Sequence, residues 1–539
     1  MEHLDQKSKL TIMIAIMAAM LFAALNQTIV GTALPRIIAD LGGMQYFSWV
    51  FTVFMLASSI TAILVGKLSD IYGRKPFILI GIGVFMLGTF LCGLSDTIIQ
   101  LIVYRGIQGL GAGMIMSTSF TAVGDLFSPR ERGRWQGIMG GVFGLASVFG
   151  PTLGGYIVDN FDWHWIFWVF LPVGILAFVL IWKLFPTTER NPSEKVDYLG
   201  SIFLTLTILP MLLAFSWAGE AYAWSSPQII GLFISTVVSL IFFIQIERKA
   251  KSPVLPLSLF KNSIFSLSNI IGFILGMGMF GAIMYTPFFI QGVMGTSATK
   301  SGFIMMPMTL AMVTASAIGG QIITKTGKYK KLAIIGLLIM SAGMFSLAQM
   351  DESTSNLIAV TNMIIVGLGL GLSFPVFTLT IQNAVSHKFL GVATSSAQLF
   401  RQIGGTIGVS IMGTVMSISM KNEMEKAAGG NTSQAFAQNP EAAAKFEKLQ
   451  DPQALMDPEA LEQVRSTVPE NFLGIFDQVL GILRTALSHS LSLVFLTGCI
   501  VIASAAILTF FLKEIPLRTN NNESTDENEE RVELKERSV

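Results

Sequence analysis

Fourteen apolar segments, each about as long as the ~20 residues a helix needs to cross a bilayer, constrain this chain more than any other feature. By number they run 10–34, 46–66, 77–95, 97–124, 136–158, 164–185, 198–218, 228–247, 264–290, 298–323, 332–350, 355–381, 391–418 and 485–512. Hydrophobic residues make up 52% of the sequence and charged residues 13%, against about 25% charged in ordinary soluble domains. The fold class this predicts is an all-α polytopic membrane protein. A net charge of +1 says little about partners, nothing in the sequence suggests a nucleic-acid surface, and the lipid bilayer is the obvious partner. The first segment is too long for the core of a signal peptide and lacks a cleavage site, so it is expected to stay as helix 1. Cys92 and Cys499 both lie inside apolar runs, where they read as small packing residues.

Lysine and arginine gather in the loops after helices 2, 4, 6, 8, 10 and 12, whereas the opposite short loops carry only Arg36 and Lys300. Positive loops stay on the cytoplasmic side. Both termini are therefore expected in the cytoplasm, which requires an even number of spans. Two stretches fall outside the pattern. Residues 421–484 hold ten acidic and six basic residues and read as an external loop with some amphipathic helix, as in PEALEQV; a lid and a plain surface loop are both open. The tail from Thr519 is rich in Asn and Glu and is expected to be disordered.

The chain repeats itself. At an offset of 254, Gly66 falls on Gly320, Gly73 on Gly327, Arg74 on Lys328, Gly137 on Gly391, Gly150 on Gly404 and Gly154 on Gly408. One offset serving separate glycine patterns predicts two parallel six-helix bundles, 10–185 and 264–512, the second including the loop 421–484. Residues 186–263 then form an inserted pair, helices 7 and 8, while 1–9 and 513–539 are cytoplasmic tails. Parallel halves about an axis along the membrane normal are a transporter architecture, with the substrate site between them near the midplane.

Three motifs carry chemistry. GKLSDIYGRKP, Gly66 to Pro76, packs two glycines, one carboxylate and three cations between helices 2 and 3, and places Asp70 and Arg74 four apart, on one helical face. The residues alone leave two readings, a topology-setting solvated loop and an active turn. Helix 4 contains LIVYRGIQGLGAG, with Arg105 eight residues from its outer end. An arginine at that depth marks a functional site by default, although bonding to neighbouring carbonyls is the structural alternative. Helix 5 reads GIMGGVFGLASVFGPTLGG, whose glycines spaced by four let helices touch backbone to backbone, while Pro151 invites a kink.

These motifs resemble those of the major facilitator superfamily: GKLSDIYGRKP its loop 2/3 signature, YRGIQGLGAG its helix 4 motif and GLASVFGPTLGG the helix 5 motif of its drug exporters. Fourteen spans, LNQTIVGTALP in helix 1 and DWHWIFWVFLPVG entering helix 6 are similar to its drug:proton antiporter branch. The resemblance implies multidrug export by alternating access, driven by protons entering a bacterial plasma membrane. It assigns a conformational latch to Gly66, Asp70, Gly73, Arg74 and Asp125, proton coupling to Arg105, and the antiporter motif to Gly144, Gly150, Pro151, Gly154 and Gly155.

The chain also departs from that branch. Asn26 stands where a helix 1 aspartate is usual and Phe170 where an asparagine is common, and no Asp or Glu lies in the middle of any span. Arg105 and Arg401 are the deeply placed charges. A cavity without carboxylates suits amphiphilic, weakly charged or anionic molecules rather than dications. Asn26, Gln27, Trp49, Phe54, Tyr285, Phe288, Gln398 and Arg401 are the candidate cavity residues. The alternatives are an exporter of an endogenous lipid, fatty acid or other amphiphilic anion, and a membrane-embedded enzyme. The enzyme reading lacks a constellation, since His3, His164, His387 and His489 are scattered and no metal or cofactor site is indicated. A monomer is expected.

Overall fold

In the computed structural model the described residues are 5–41, 46–186, 196–219, 222–296, 298–428, 465–466 and 470–517. Fourteen helices among them are long and apolar enough to cross a membrane. They are α1 (Gln6–Leu41), α2 (Phe47–Tyr72), α3 (Arg74–Cys92), α4 (Ile98–Leu126), α5 (Pro129–Asn160), α6 in two pieces (Trp165–Trp168 and Leu171–Leu184), α7 (Tyr198–Trp217) and α8 (Pro227–Glu247). Then follow α9 (Ser263–Pro287), α10 (Ala298–Thr326), α11 (Lys330–Ala348), α12 (Asn356–Asn383), α13 (Leu390–Ala428) and α14 (Glu470–Phe510).

Several helix starts are set by local chemistry. Asp197 accepts the Gly200 N–H at 2.8 Å to begin α7, and Asn262 accepts the Ile264 N–H at 2.9 Å to begin α9. Such caps satisfy backbone donors that the first turn leaves free. At α5, Pro129 occupies the first turn and Glu131 accepts the Ser128 N–H at 3.4 Å.

Buried apolar residues of α1 to α6 form one set of clusters around Phe22, Phe85 and Ile115. Those of α9 to α14 form another around Phe289, Met344 and Phe495. The two sets meet where α5 lies along α10 and where α2 lies along α13. Helices α7 and α8 pair with each other and cover the α2–α13 seam, burying Leu204, Ile208 and Phe243 with Leu56, Ile63, Val392 and Leu399.

The last two helices run longer than their apolar segments. The thirteenth segment reaches Ala428 and the fourteenth begins at Glu470, so both ends of the polar stretch 421–484 are helical. Phe476 and Leu483 of α14 bury with Met420 of α13 in one cluster, and Lys426 pairs with Glu423 at 2.7 Å on the outer face. An apolar stripe with charged neighbours continues the helices past the ~30 Å that lipid requires. PEALEQV, Glu220, His3 and the tail from Thr519 lie outside the described residues.

Candidate functional site

Between α2 and α3 the chain reverses at Gly73, where φ is 90°. Glycine has no Cβ to oppose that conformation. Its repeat partner Gly327 has φ 68°, so the two turns share a backbone device as well as a sequence offset. The reversal puts Arg74 at the start of α3, with its side chain folded over the end of α2. There Arg74 ion-pairs with Asp70, donates through Nε to Asp125 Oδ2 at 3.0 Å, and donates to Ser69 Oγ at 2.8 Å. The side chains of all three charged residues are at most 7% exposed.

Asp70 has a second set of partners. Its Oδ1 accepts the Gly391 N–H at 3.1 Å and its Oδ2 the Val392 N–H at 3.0 Å. These are free donors at the first turn of α13, where the helix dipole also favours an anion. A carboxylate of one bundle thus caps a helix of the other. Gly66 permits the approach, because a Cβ there would run into Ser395. Ser117 and Ser395 share a hydrogen bond of 2.7 Å across the same seam, and Gln136 donates to Gln382 at 2.8 Å. The bundles are closed against each other at the Asp70 end.

The repeat loop at Gly320 to Tyr329 is held differently. Thr324 stands where Asp70 would and donates to the Gly320 carbonyl at 2.8 Å. Glu514, past the end of α14, accepts the Tyr329 and Lys330 N–H groups at 2.9 and 3.1 Å. The Tyr329 hydroxyl accepts the Ile515 N–H at 3.1 Å, and its burial raises the phenol pKa.

Arg105 is fully buried. One amino group donates to Gln108 Oε1 at 2.5 Å, Nε reaches the Val50 carbonyl at 3.4 Å, and the guanidinium stacks on Phe54 at 4.2 Å. Gln108 in turn donates to Thr89 at 2.7 Å and to Asn26 Oδ1 at 3.4 Å. Among the described residues no carboxylate joins this network, and the second amino group of Arg105 is buried without a hydrogen bond. A cation–π contact is worth about 0.5–2 kcal/mol, whereas burying a lone charge costs several.

The eight cavity candidates separate into groups. Asn26 and Phe54 belong to the Arg105 network inside one bundle. Trp49 packs on Trp217 of α7, ring centroids 5.2 Å apart, so it faces the inserted pair. Tyr285 is buried and donates to the Val409 carbonyl at 2.8 Å, with Phe288 against it in a single π-helical turn. Gln27, Gln398 and Arg401 are half-buried. Gln27 bonds Met55 sulfur at 3.2 Å, Gln398 reaches the Met116 carbonyl across the seam at 3.5 Å, and Arg401 stacks on Phe374 at 4.2 Å.

The glycines of α5 serve two neighbours. A Cβ at Gly137 would meet the Ser316 carbonyl at 2.5 Å, one at Gly141 would meet Val313 at 3.0 Å, and one at Gly144 would meet Thr309 at 2.6 Å, all on α10. At Gly150 the obstacle is Thr28 of α1, whose hydroxyl donates to the Ala146 carbonyl at 2.9 Å. Gly154 is buried, Gly155 faces open space, and α5 is continuous through position 151.

The profile of the Major Facilitator Superfamily matches residues 16–409. The Multidrug transporter protein MdtP of Bacillus subtilis (strain 168) is 40% identical over 531 residues, 97% of this chain and 96% of that one. The chain belongs to the major facilitator superfamily.

Multidrug resistance protein 3 of the same organism is 35% identical over 514 residues, 95% of this chain and 97% of that one. The solved proton:xylose symporter XylE superposes with a TM-score of 0.61 at 13% identity, over 96% of this chain and 98% of that one, which supports the fold alone. As a family member the chain is a membrane transporter of small molecules and not an enzyme.

Several residues of this transporter that the geometry singles out were not read from the sequence. Gln108 sits inside the helix 4 motif, so its place beside Arg105 was within reach. Ser395, Gln382 and the backbone of Gly391 carry no such signal, and neither does Glu514.

Proposed function

We propose that this transporter is a secondary active exporter of hydrophobic and amphiphilic compounds, a multidrug efflux carrier of a bacterial plasma membrane working by proton antiport and alternating access. The observation that carries the reading is Asp70, paired with Arg74 in its own bundle and capping α13 in the other. Such a contact can form and break as a unit, because separating the bundles exposes both the carboxylate and the helix end to water. Relatives named multidrug transporter and multidrug resistance protein support the substrate class.

In this cycle residues 10–185 and 264–512 are the moving bundles and 186–263 an insert. Both termini are cytoplasmic, so the closed Asp70 end faces the cytoplasm and the site faces outward. Gly66, Gly73, Arg74 and Asp125 complete the latch, Arg105 serves proton coupling, and Gly137, Gly141 and Gly144 of α5 are the surface on which α10 pivots. The carrier works as a monomer. Everted vesicles containing it should lose uphill efflux of a lipophilic dye when the pH gradient is collapsed. Uphill efflux that persists without a pH gradient or membrane potential would overturn proton antiport.

A second reading, export of an endogenous amphiphilic anion, shares the same cycle. Arg401 favours it, since the guanidinium stacks on an aromatic ring and, among the described residues, pairs with no carboxylate.

A further inference from the structure

We infer that Arg401 is the acid-group anchor of the substrate site, and that the compounds bound best are amphiphilic monoanions with a single carboxylate. The inference rests on the export reading above and names its substrate class. Arg401 lies eleven residues beyond Leu390, the first residue of α13, which is about 16 Å along the helix axis and so near mid-membrane. Its side chain is half-buried and touches the Phe374 ring at 4.2 Å. Among the described residues it makes no hydrogen bond and no ion pair. The buried arginines are served otherwise: Arg74 by two carboxylates, Arg132 by the Phe127 and Gly124 carbonyls, and Arg105 by Gln108 and the Val50 carbonyl.

Arg401 also stands where the two bundles face each other. Phe374 reaches toward α5, since a Cβ on Gly140 would lie 3.8 Å from its ring. One turn before Arg401, Gln398 contacts the Met116 carbonyl of α4. Beyond that crossing no ion pair joins the two bundles among the described residues. The mostly buried carboxylates, Asp70, Asp125 and Glu247, sit at the ends of α2, α4 and α8. Asp70 is bound at Gly391, ten residues before Arg401 on α13, about 15 Å away along the axis. Among the described residues no carboxylate pairs with Arg401.

The geometry selects the ligand. With one guanidinium face on Phe374, the edge N–H groups are left to a planar two-oxygen acceptor, the arrangement a carboxylate matches. A single uncompensated cation balances one negative charge, so a dianionic phosphate would leave a charge unpaired in a poorly hydrated site. Phe374 and the half-buried Met116 give an apolar tail a surface beside the acid group.

Binding to the purified full-length protein in detergent tests this by calorimetry with dodecanoate, methyl dodecanoate and dodecyltrimethylammonium. Wild type should bind dodecanoate about tenfold or more tighter than its ester, the size of one charge-assisted contact. Arg401→Gln should remove that preference while leaving the ester within about threefold, and Arg401→Lys should keep part of it. Equal binding of acid and ester by wild type overturns the inference without any variant. So does an equal loss of all three probes in Arg401→Gln when Arg401→Lys restores none of them. The export reading fails separately, if vesicles move no probe uphill.

Discussion

Asp70, near the end of α2, holds the backbone N–H of Val392, near the start of α13, at 3.0 Å while ion-paired to Arg74. The carboxylate belongs to two bundles at once. Its partners on either side are an arginine fixed by Asp125 and a helix end whose donors have no other acceptor within the helix.

Replacing Asp70 with asparagine keeps the shape and removes the charge that both partners use. Charge-assisted hydrogen bonds contribute about 1.5–3 kcal/mol each, so the closed state should lose at least tenfold in population. The initial efflux rate of Asp70→Asn should fall by a similar factor, and a cysteine at Ser395 should become labelled by an aqueous thiol reagent added from the Asp70 side. An unchanged rate together with unchanged labelling would reject the latch.

Helix α5 offers a paired test on one element. Gly137→Leu forces a side chain against the Ser316 carbonyl and should lower the apparent melting temperature and stop transport, since overpacking costs about 1–3 kcal/mol. Gly155→Ala meets nothing within 4 Å and should leave both near wild type. Similar effects at the two sites would show that the glycine stripe matters for helix propensity rather than for the α10 contact.

Arg105→Met should separate stability from function. The substitution discards the Phe54 stack but also an uncompensated buried charge, and exchanging buried charges for apolar volume is often neutral or stabilising by about 1–4 kcal/mol. The variant is expected to melt no lower than wild type and to transport nothing. A drop of several degrees in melting temperature would mean the Gln108 and Val50 contacts outweigh desolvation.

At the other hinge, Glu514→Ala removes the acceptor for the first N–H groups of α11. The segment 511–517 should then leave the Tyr329 loop, detectable as faster clipping there by a soluble protease, with transport reduced less than in Asp70→Asn. Unchanged clipping would show that the Lys330 bond to the Phe510 carbonyl and the Ile515 N–H bond to the Tyr329 hydroxyl hold the segment without Glu514.

Elements whose cause is local were legible in the order of the residues. Apolar length produced fourteen spans, and the 254-residue offset marked Gly73 and Gly327, which adopt positive φ in both halves. The Asp70–Arg74 pair forms, but across the Gly73 reversal from the end of α2 to the start of α3, and not on one helical face as the four-residue spacing predicts. The order of the residues did not show where the helices of the polar stretch 421–484 end, because their charged outer faces hide the stripe through Phe476 and Leu483. The remaining contacts come from packing. It joined Asp70 to the backbone of α13 more than three hundred residues later, drew Asn26, Thr89 and Gln108 around Arg105, turned Trp49 toward α7, and set Arg401 on the Phe374 ring with no anion among the described residues. Backbone donors look alike at every helix start, and apolar helices look alike on every face. Which of them meet is settled by the packing of whole bundles, where small residues such as Gly66 and Gly137 let two backbones approach.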